Sequence, residues 1–167
     1  ALNQQILTDT QEALKKNQSR DLYYQIETAD RAIPATLSGH LAQRQKELRQ
    51  AKTSAYTGKV KLIFRGSAGQ GFGVFLTEGL ELRLFGEAND SVCKSMSGGK
   101  VVIRPHPESN YEAGAHSIIG NCALYGATGG TLFVNGLAGD RFGVRNSGAT
   151  AVVEGAGLHC CEYMTNG

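Results

Sequence analysis

Thr77-Glu-Gly-Leu-Glu-Leu-Arg-Leu-Phe-Gly86, followed by Glu87-Ala-Asn-Asp90, decides the fold. A hydroxyl residue and a glycine turn open the stretch. Leu80, Leu82 and Leu84 then alternate with Glu81 and Arg83, and Gly86 closes the run. Alternation at period two marks a strand with one buried face. The pattern returns along the chain. Hydroxyl-led turns stand at Thr57-Gly58, Thr77-Glu-Gly79, Ser97-Gly-Gly99, Thr128-Gly-Gly130, Ser147-Gly-Ala149 and Thr165-Asn-Gly167, with the hydroxyls 20, 20, 31, 19 and 18 residues apart. Eight residues before each of the last five hydroxyls lies a second column: Gly69, Asn89, Gly120, Gly139 and Gly157. Its members all tolerate positive φ, so the backbone is expected to turn there. A third column closes the strands at Gly66, Gly86, Pro105, Gly136 and Gly155. Between hydroxyl and closing column lie the β-rich runs Val60–Phe64, Leu80–Leu84, Val101–Ile103, Leu132–Val134 and Ala151–Val153.

Three columns at one short period describe a coil of stacked strands. The leucine-asparagine consensus of leucine-rich repeats and the six-residue period of left-handed acyltransferase helices are both missing, so a parallel β-helix over residues 57–167 is the predicted fold. In it Leu82, Val102, Phe133 and Val152 should form one inward column, and the hydroxyls a Thr/Ser ladder along a corner. The 31-residue step contains a polar, Pro-containing insertion between Arg104 and Ser117; removing about twelve residues restores the period. Later strands are apolar at both parities, so their outer face should lie under another element or domain. Thr165-Asn-Gly167 opens a rung with no strand behind it. The coil is therefore expected to be truncated at its C-terminal end, with an open edge prone to self-association.

Residues 1–56 differ in composition. They hold one of the 22 glycines and none of the six Phe. Leu2, Ile6, Leu7, Ala13 and Leu14 share a helix face, ending near Lys15 and Lys16. A second helix is expected after Asp30 as N-cap, running through Leu37, Leu41 and Leu48 and tolerating Pro34 early. Leu22–Ile26 reads as a short strand. The segment is read as an N-terminal helical part packing on the solenoid. The net charge of +2 gives little support for nucleic-acid binding, no run reaches the ~18 apolar residues of a membrane helix, and no leader opens the chain. The first residue, Ala1, suggests a processed or excised piece. Cys93, Cys122, Cys160 and Cys161 form no CxxC and read as reduced, mostly buried thiols of a cytoplasmic protein.

No residue set makes a convincing catalytic, cofactor or metal site. Gly69-Gln-Gly-Phe-Gly73 lacks the third glycine and following helix of a dinucleotide loop, and is read as corner geometry. Asp90, Asn121 and Asp140 share a column, but Gln70 and Leu158 complete it, so turn capping outweighs calcium binding or acid–base chemistry. His40, His106, His116 and His159 show no metal spacing. His159 beside Cys160-Cys161 raises a nucleophile–base pair, against which strand neighbours point to opposite faces. Lys94, Arg141 and Arg145 are expected to line one outer face.

Several stretches together resemble the C-terminal domain of the glutamate synthase large chain. They are Gly71-Phe-Gly-Val-Phe-Leu-Thr-Glu-Gly-Leu80, Gly86-Glu-Ala-Asn-Asp90, Met96-Ser-Gly-Gly99, Leu124-Tyr-Gly-Ala-Thr-Gly-Gly130, Gly139-Asp-Arg-Phe142, Val144-Arg-Asn-Ser-Gly-Ala-Thr-Ala-Val-Val-Glu-Gly155 and Cys161-Glu-Tyr-Met-Thr165. The likeness is close from Gly66 to Gly167 and looser back to Asp30. The family usually has glycine where this chain has Pro34, Cys93, Ser95, Cys160 and Asn166. The resemblance implies a right-handed parallel β-helix named for its Gly-X-Gly-X-Gly repeats. It also implies a non-catalytic structural domain that holds together the glutaminase and FMN-binding domains of an enzyme making glutamate from glutamine and 2-oxoglutarate. FMN and an iron–sulfur cluster are then expected in those other domains and no cofactor in this chain. The glutaminase nucleophile would be an N-terminal cysteine, whereas this chain begins with Ala1. A second candidate is the related β-helix subunit of formylmethanofuran dehydrogenase. A stand-alone carbohydrate-active β-helix enzyme would need contiguous carboxylates that the columns lack.

Overall fold

A computed structural model describes residues 1–112 and 114–167. The elements run α1 (Leu2–Lys15), β1 (Arg20–Ile26), α2 (Ala35–Gln50), β2 (Val60–Ala68), β3 (Leu80–Ala88), β4 (Ser97–Arg104), β5 (Ser117–Ile119), β6 (Gly129–Ala138) and β7 (Thr150–Gly155). All paired strands are parallel, in the order β1-β2-β3-β4-β6-β5, with β7 beside β6 and β5 also beside β3. The expected strand at Leu22–Ile26 is β1, and its pairing with β2 carries the sheet into the N-terminal region.

The insertion interrupts one strand without ending it. Phe85 pairs Arg104 and Ala88 pairs Ile119. Three residues thus face fifteen, so the insertion adds twelve residues and β4 and β5 are two halves of one rung.

The interior column differs from the expected one. Leu62, Leu82, Val101, Leu132 and Ala151 stack in register. The first four are fully buried. Phe64, Leu84, Ile103 and Val134 form the next buried column. Val102, Phe133 and Val152 instead stack on Arg83 and face outward, so the predicted inward column is correct only at Leu82. The cause is a slip of one residue after Ser97. Thr77 lies five residues before its inward leucine, and Ser97 lies four before Val101. A single-residue slip turns every later side chain to the other face.

A second ladder joins the rungs between strands. Fifteen residues there have positive φ in alternation: Gly71, Gly73 and Phe75; Ser91, Cys93 and Ser95; Cys122, Leu124 and Gly126; Arg141, Gly143 and Arg145; His159, Cys161 and Tyr163. In this zigzag the amides hydrogen-bond across rungs. Gly71 N–H donates to Asp90 O (2.9 Å), Ser91 N–H to Asn121 O (2.8 Å), Cys122 N–H to Asp140 O (2.9 Å) and Arg141 N–H to Leu158 O (2.8 Å). The expected turn column at Gly69, Asn89, Gly120, Gly139 and Gly157 has no positive φ. Its glycines supply room instead. A Cβ at Gly120, Gly139 or Gly157 would collide with the side-chain oxygen of Asp90, Asn121 or Asp140 on the preceding rung.

The hydroxyl corner is a backbone ladder. Ser97, Thr128, Ser147 and Thr165 donate their N–H to Leu76, Met96, Ala127 and Asn146 carbonyls at 2.8–2.9 Å. Of the hydroxyls, Ser97 Oγ and Ser147 Oγ donate to the Leu76 and Ala127 carbonyls of the previous rung (3.4 and 3.1 Å), and Thr57 Oγ1 accepts from Asn17 Nδ2 (3.3 Å).

The two helices cover one side of the early rungs. Ile6, Leu7 and Leu14 of α1 and Leu37 and Leu41 of α2 join the strand interior in one apolar core. Each such side chain contributes about 1.5–3 kcal/mol on burial. The helix α2 begins after Pro34, not after Asp30. The Asp30 carboxylate instead accepts from Glu27 N–H (3.0 Å), closing a turn upstream, and the helix begins five residues further on at Ala35. No helix among the described residues is long and apolar enough to cross a membrane.

Candidate functional site

The column of Asp90, Asn121 and Asp140 is continuous in space. Asp90 Oδ1 accepts from Asn121 N–H (2.8 Å), Asn121 Oδ1 from Asp140 N–H (2.7 Å) and Asp140 Oδ1 from Leu158 N–H (2.8 Å). Each acid or amide therefore ties one rung to the next, a bond between rungs where the sequence reading expected capping within a turn. The Gly69–Gly73 stretch also spends its amides internally. Gly69, Gly71 and Gly73 donate to the carbonyls of Asp30 (3.0 Å), Asp90 (2.9 Å) and Ile33 (2.7 Å), so the three glycine amides are taken up by backbone. Between them Phe72 is buried with its edge against Phe64, 5.4 Å between ring centroids.

The thiols differ from the buried set that was expected. Cys93 is buried, Cys122 is half-buried, and Cys160 and Cys161 are exposed, because the latter two lie on the edge rung of the described stack. Burial pushes the Cys93 thiol far above the ordinary thiol range, which makes it inert. Cys160 is also raised, first by burial and then by its hydrogen bond with Cys161, whose sulfur lies 3.6 Å away. His159 lies beside Glu162, with Nδ1 3.4 Å from Oε1. His40 lies on α2, while His106 and His116 share the insertion, where the His116 ring lies 5.0 Å from Tyr111. The histidines converge nowhere, and no group of three His, Cys, Asp or Glu among the described residues is disposed to hold a metal. This donor set does not fit an iron–sulfur cluster, which needs several convergent thiolates.

Two surfaces stand out. The first is the outer sheet face, where Phe133 is 38% and Val152 56% exposed beside half-buried Val102. Nothing among the described residues covers it, except that Lys100 Nζ sits 5.6 Å from the Phe133 ring centre. The second runs along the zigzag ladder. Phe75, Lys94, Tyr125, Arg145 and Tyr163 occupy successive rungs and all are exposed. Lys94 Nζ lies 5.5 Å from the Tyr125 ring centre, and the Arg145 guanidinium 5.4 Å from that of Tyr163. Two of the expected basic residues thus meet the same stripe. Arg141 stands at the opposite end of its zigzag run. The aromatic partners were missed because their spacing follows the rungs and not a helix or strand period.

The GXGXG-motif family profile matches residues 3–167. Ferredoxin-dependent glutamate synthase 2 of Synechocystis sp. is 47% identical over 159 residues, covering 95% of this chain and 10% of that protein. The chloroplastic ferredoxin-dependent glutamate synthase 2 of Arabidopsis thaliana is 50% identical over 142 residues, 85% of this chain and 8% of the relative. The glutamate synthase [NADPH] large chain of Azospirillum brasilense is 42% identical over 166 residues, 99% of this chain and 11% of the relative. The chain spans about a tenth of the length of these relatives. It belongs to the GXGXG-motif family, in the form that glutamate synthase large chains contain.

Proposed function

We propose that this chain is a non-catalytic structural domain of a glutamate synthase, a right-handed parallel β-helix against which the glutaminase and FMN-binding synthase domains are held. Parallel register from β2 to β7, with ladders at both the hydroxyl corner and the zigzag, supports the coil. The observation that carries the structural role is the outward column of Val102, Phe133 and Val152. Exposed apolar residues in register over consecutive rungs mark a surface made to be covered. The interior, by contrast, is filled by the chain's own side chains and leaves no substrate chamber there. FMN and the iron–sulfur cluster belong, on this reading, to domains outside residues 1–167, and the enzyme works in the cytoplasm or its organellar equivalent.

The test is the double variant Phe133→Asp/Val152→Asp, made both in the 167-residue chain and in the whole polypeptide that contains it. The isolated chain should keep its melting temperature within about 3 °C, since both side chains already face solvent. The whole enzyme should lose coupling, with glutaminase activity retained and glutamate formation reduced about tenfold or more. Unchanged coupling and unchanged resistance to proteolysis between domains would sink the structural reading. So would glutamate formation by the isolated chain.

A further inference from the structure

The zigzag stripe has three properties that core packing does not explain. First, Phe75, Arg145 and Tyr163 hold φ of 56°, 52° and 56°. A bulky residue with positive φ costs about 1–2 kcal/mol that glycine avoids. Phe75 and Tyr163 are 56% and 70% exposed, so burial within this chain returns little of that cost. Second, the residues come in order. Parallel rungs stand about 4.8 Å apart; Phe75, Arg145 and Tyr163 share one zigzag column, and Lys94 and Tyr125 stand one residue before it on the two rungs between. Third, the cations lack carboxylates. Among the described residues no salt bridge engages Lys94 or Arg145, and nearby Glu162 is turned to His159. Aromatic rings interleaved with arginine are the composition of interface hot spots.

We propose that the stripe Phe75–Lys94–Tyr125–Arg145–Tyr163 is a docking surface for a carboxylate-bearing surface of the polypeptide outside residues 1–167. Two observations select that occupant. Its two cations have no salt-bridge partner among the described residues, so an acidic surface complements it. The relatives extend roughly tenfold beyond the matched region, which supplies a tethered partner at high effective concentration. The inference rests on the reading that this chain works inside a longer polypeptide. It does not rest on the outer sheet face, which is a separate surface.

Zero-length carbodiimide cross-linking of the whole polypeptide tests it, with peptide mapping of the links. The reagent condenses a lysine amine with a carboxylate and releases water. Lys94 should link to an Asp or Glu outside this region, within one polypeptide. Lys94→Arg should abolish that link while keeping the charge, and Arg145→Glu should lower its yield about fivefold. Three results would overturn the proposal. One is Lys94 linked only within residues 1–167 or to a second copy. Another is Lys94 acetylated as fast as exposed Lys46, with no link formed. The third is protection of Lys94 by a single-stranded oligothymidine and not by protein. Failure here leaves the Phe133→Asp/Val152→Asp result untouched, so the two readings fail separately.

Discussion

Gly66 shows what a single residue decides here. Its φ is 126°, and a Cβ would overlap the backbone carbonyl of Ile26 on the neighbouring rung. Backbone cannot move aside as a side chain can, so Gly66→Ala should cost about 3 kcal/mol in a urea titration. Ser95 is the opposite case. It sits at φ 55° and is half-buried. Ser95→Gly relieves about 1 kcal/mol of strain but adds about 0.5–1 kcal/mol of unfolded-state freedom. The parent and variant should agree within about 0.5 kcal/mol; a gain well beyond that would show that strain dominates. Cys93 makes stability depend on alkaline pH. Burial raises its folded pKa above the ordinary 9.0. Its contribution is therefore fully present below that value and lost as pH rises past it, since only the unfolded thiol ionises. Stability should fall by about 1.4 kcal/mol per pH unit above pH 9 from this group alone. Cys93→Ala should make the slope shallower by about that amount, while an identical slope would mean the folded thiol ionises freely. These residue effects were half legible in sequence. The glycine columns were visible, but eleven of the fifteen zigzag residues are not glycine, so composition hid the second ladder.

At the element scale the decisive event is the slip after Ser97. Hydroxyl positions alone put Val102, Phe133 and Val152 inside. The closing glycines already recorded the slip, standing nine residues after Thr57 and Thr77 but eight after Thr128 and Ser147. Runs that are apolar at both parities satisfied either register, which is why alternation could not arbitrate. The insertion was legible because it leaves the rung's two halves intact as β4 and β5. Deleting residues 105–116 brings position 117 opposite Gly86, beside the bend where a Cβ at Gly86 would overlap the Gly66 carbonyl, and a glycine at 117 lets the same bend continue. The deletion combined with Ser117→Gly should therefore fold cooperatively, within about 1 kcal/mol of the parent, because loop length adds little to closure entropy. A non-cooperative transition would show that the insertion holds the rung together. Helix α2 teaches a related lesson. Asp30 is a good cap by type, but its carboxylate closes a turn with Glu27 N–H and the helix starts five residues later, after Pro34.

The whole molecule is a stack in which each rung satisfies its neighbour. Ile63, Arg83, Val102, Phe133 and Val152 form one outward line across five strands, and Phe75, Arg145 and Tyr163, with Lys94 and Tyr125 in the adjoining column, form an exposed band along the zigzag. A stack repeats whatever it displays, so a modest side chain on one rung becomes a continuous surface over several. That is how short repeated strands can present extended surfaces. The single line Lys94, Arg141 and Arg145 expected from sequence breaks for the same reason. Arg141 and Arg145 share one zigzag run but occupy its two ends.

The sequence by itself determined the strands, the two helices, the twelve-residue insertion and the family, because these depend on local periodicity and on spacing that repeats. Only the tertiary structure decided which parity faces the core, where the backbone carries positive φ, and which cations meet which rings. Those outcomes depend on hydrogen-bond register between residues some twenty to thirty positions apart. One residue more or less between corner and strand reverses a whole face, while the count of apolar and polar residues stays the same.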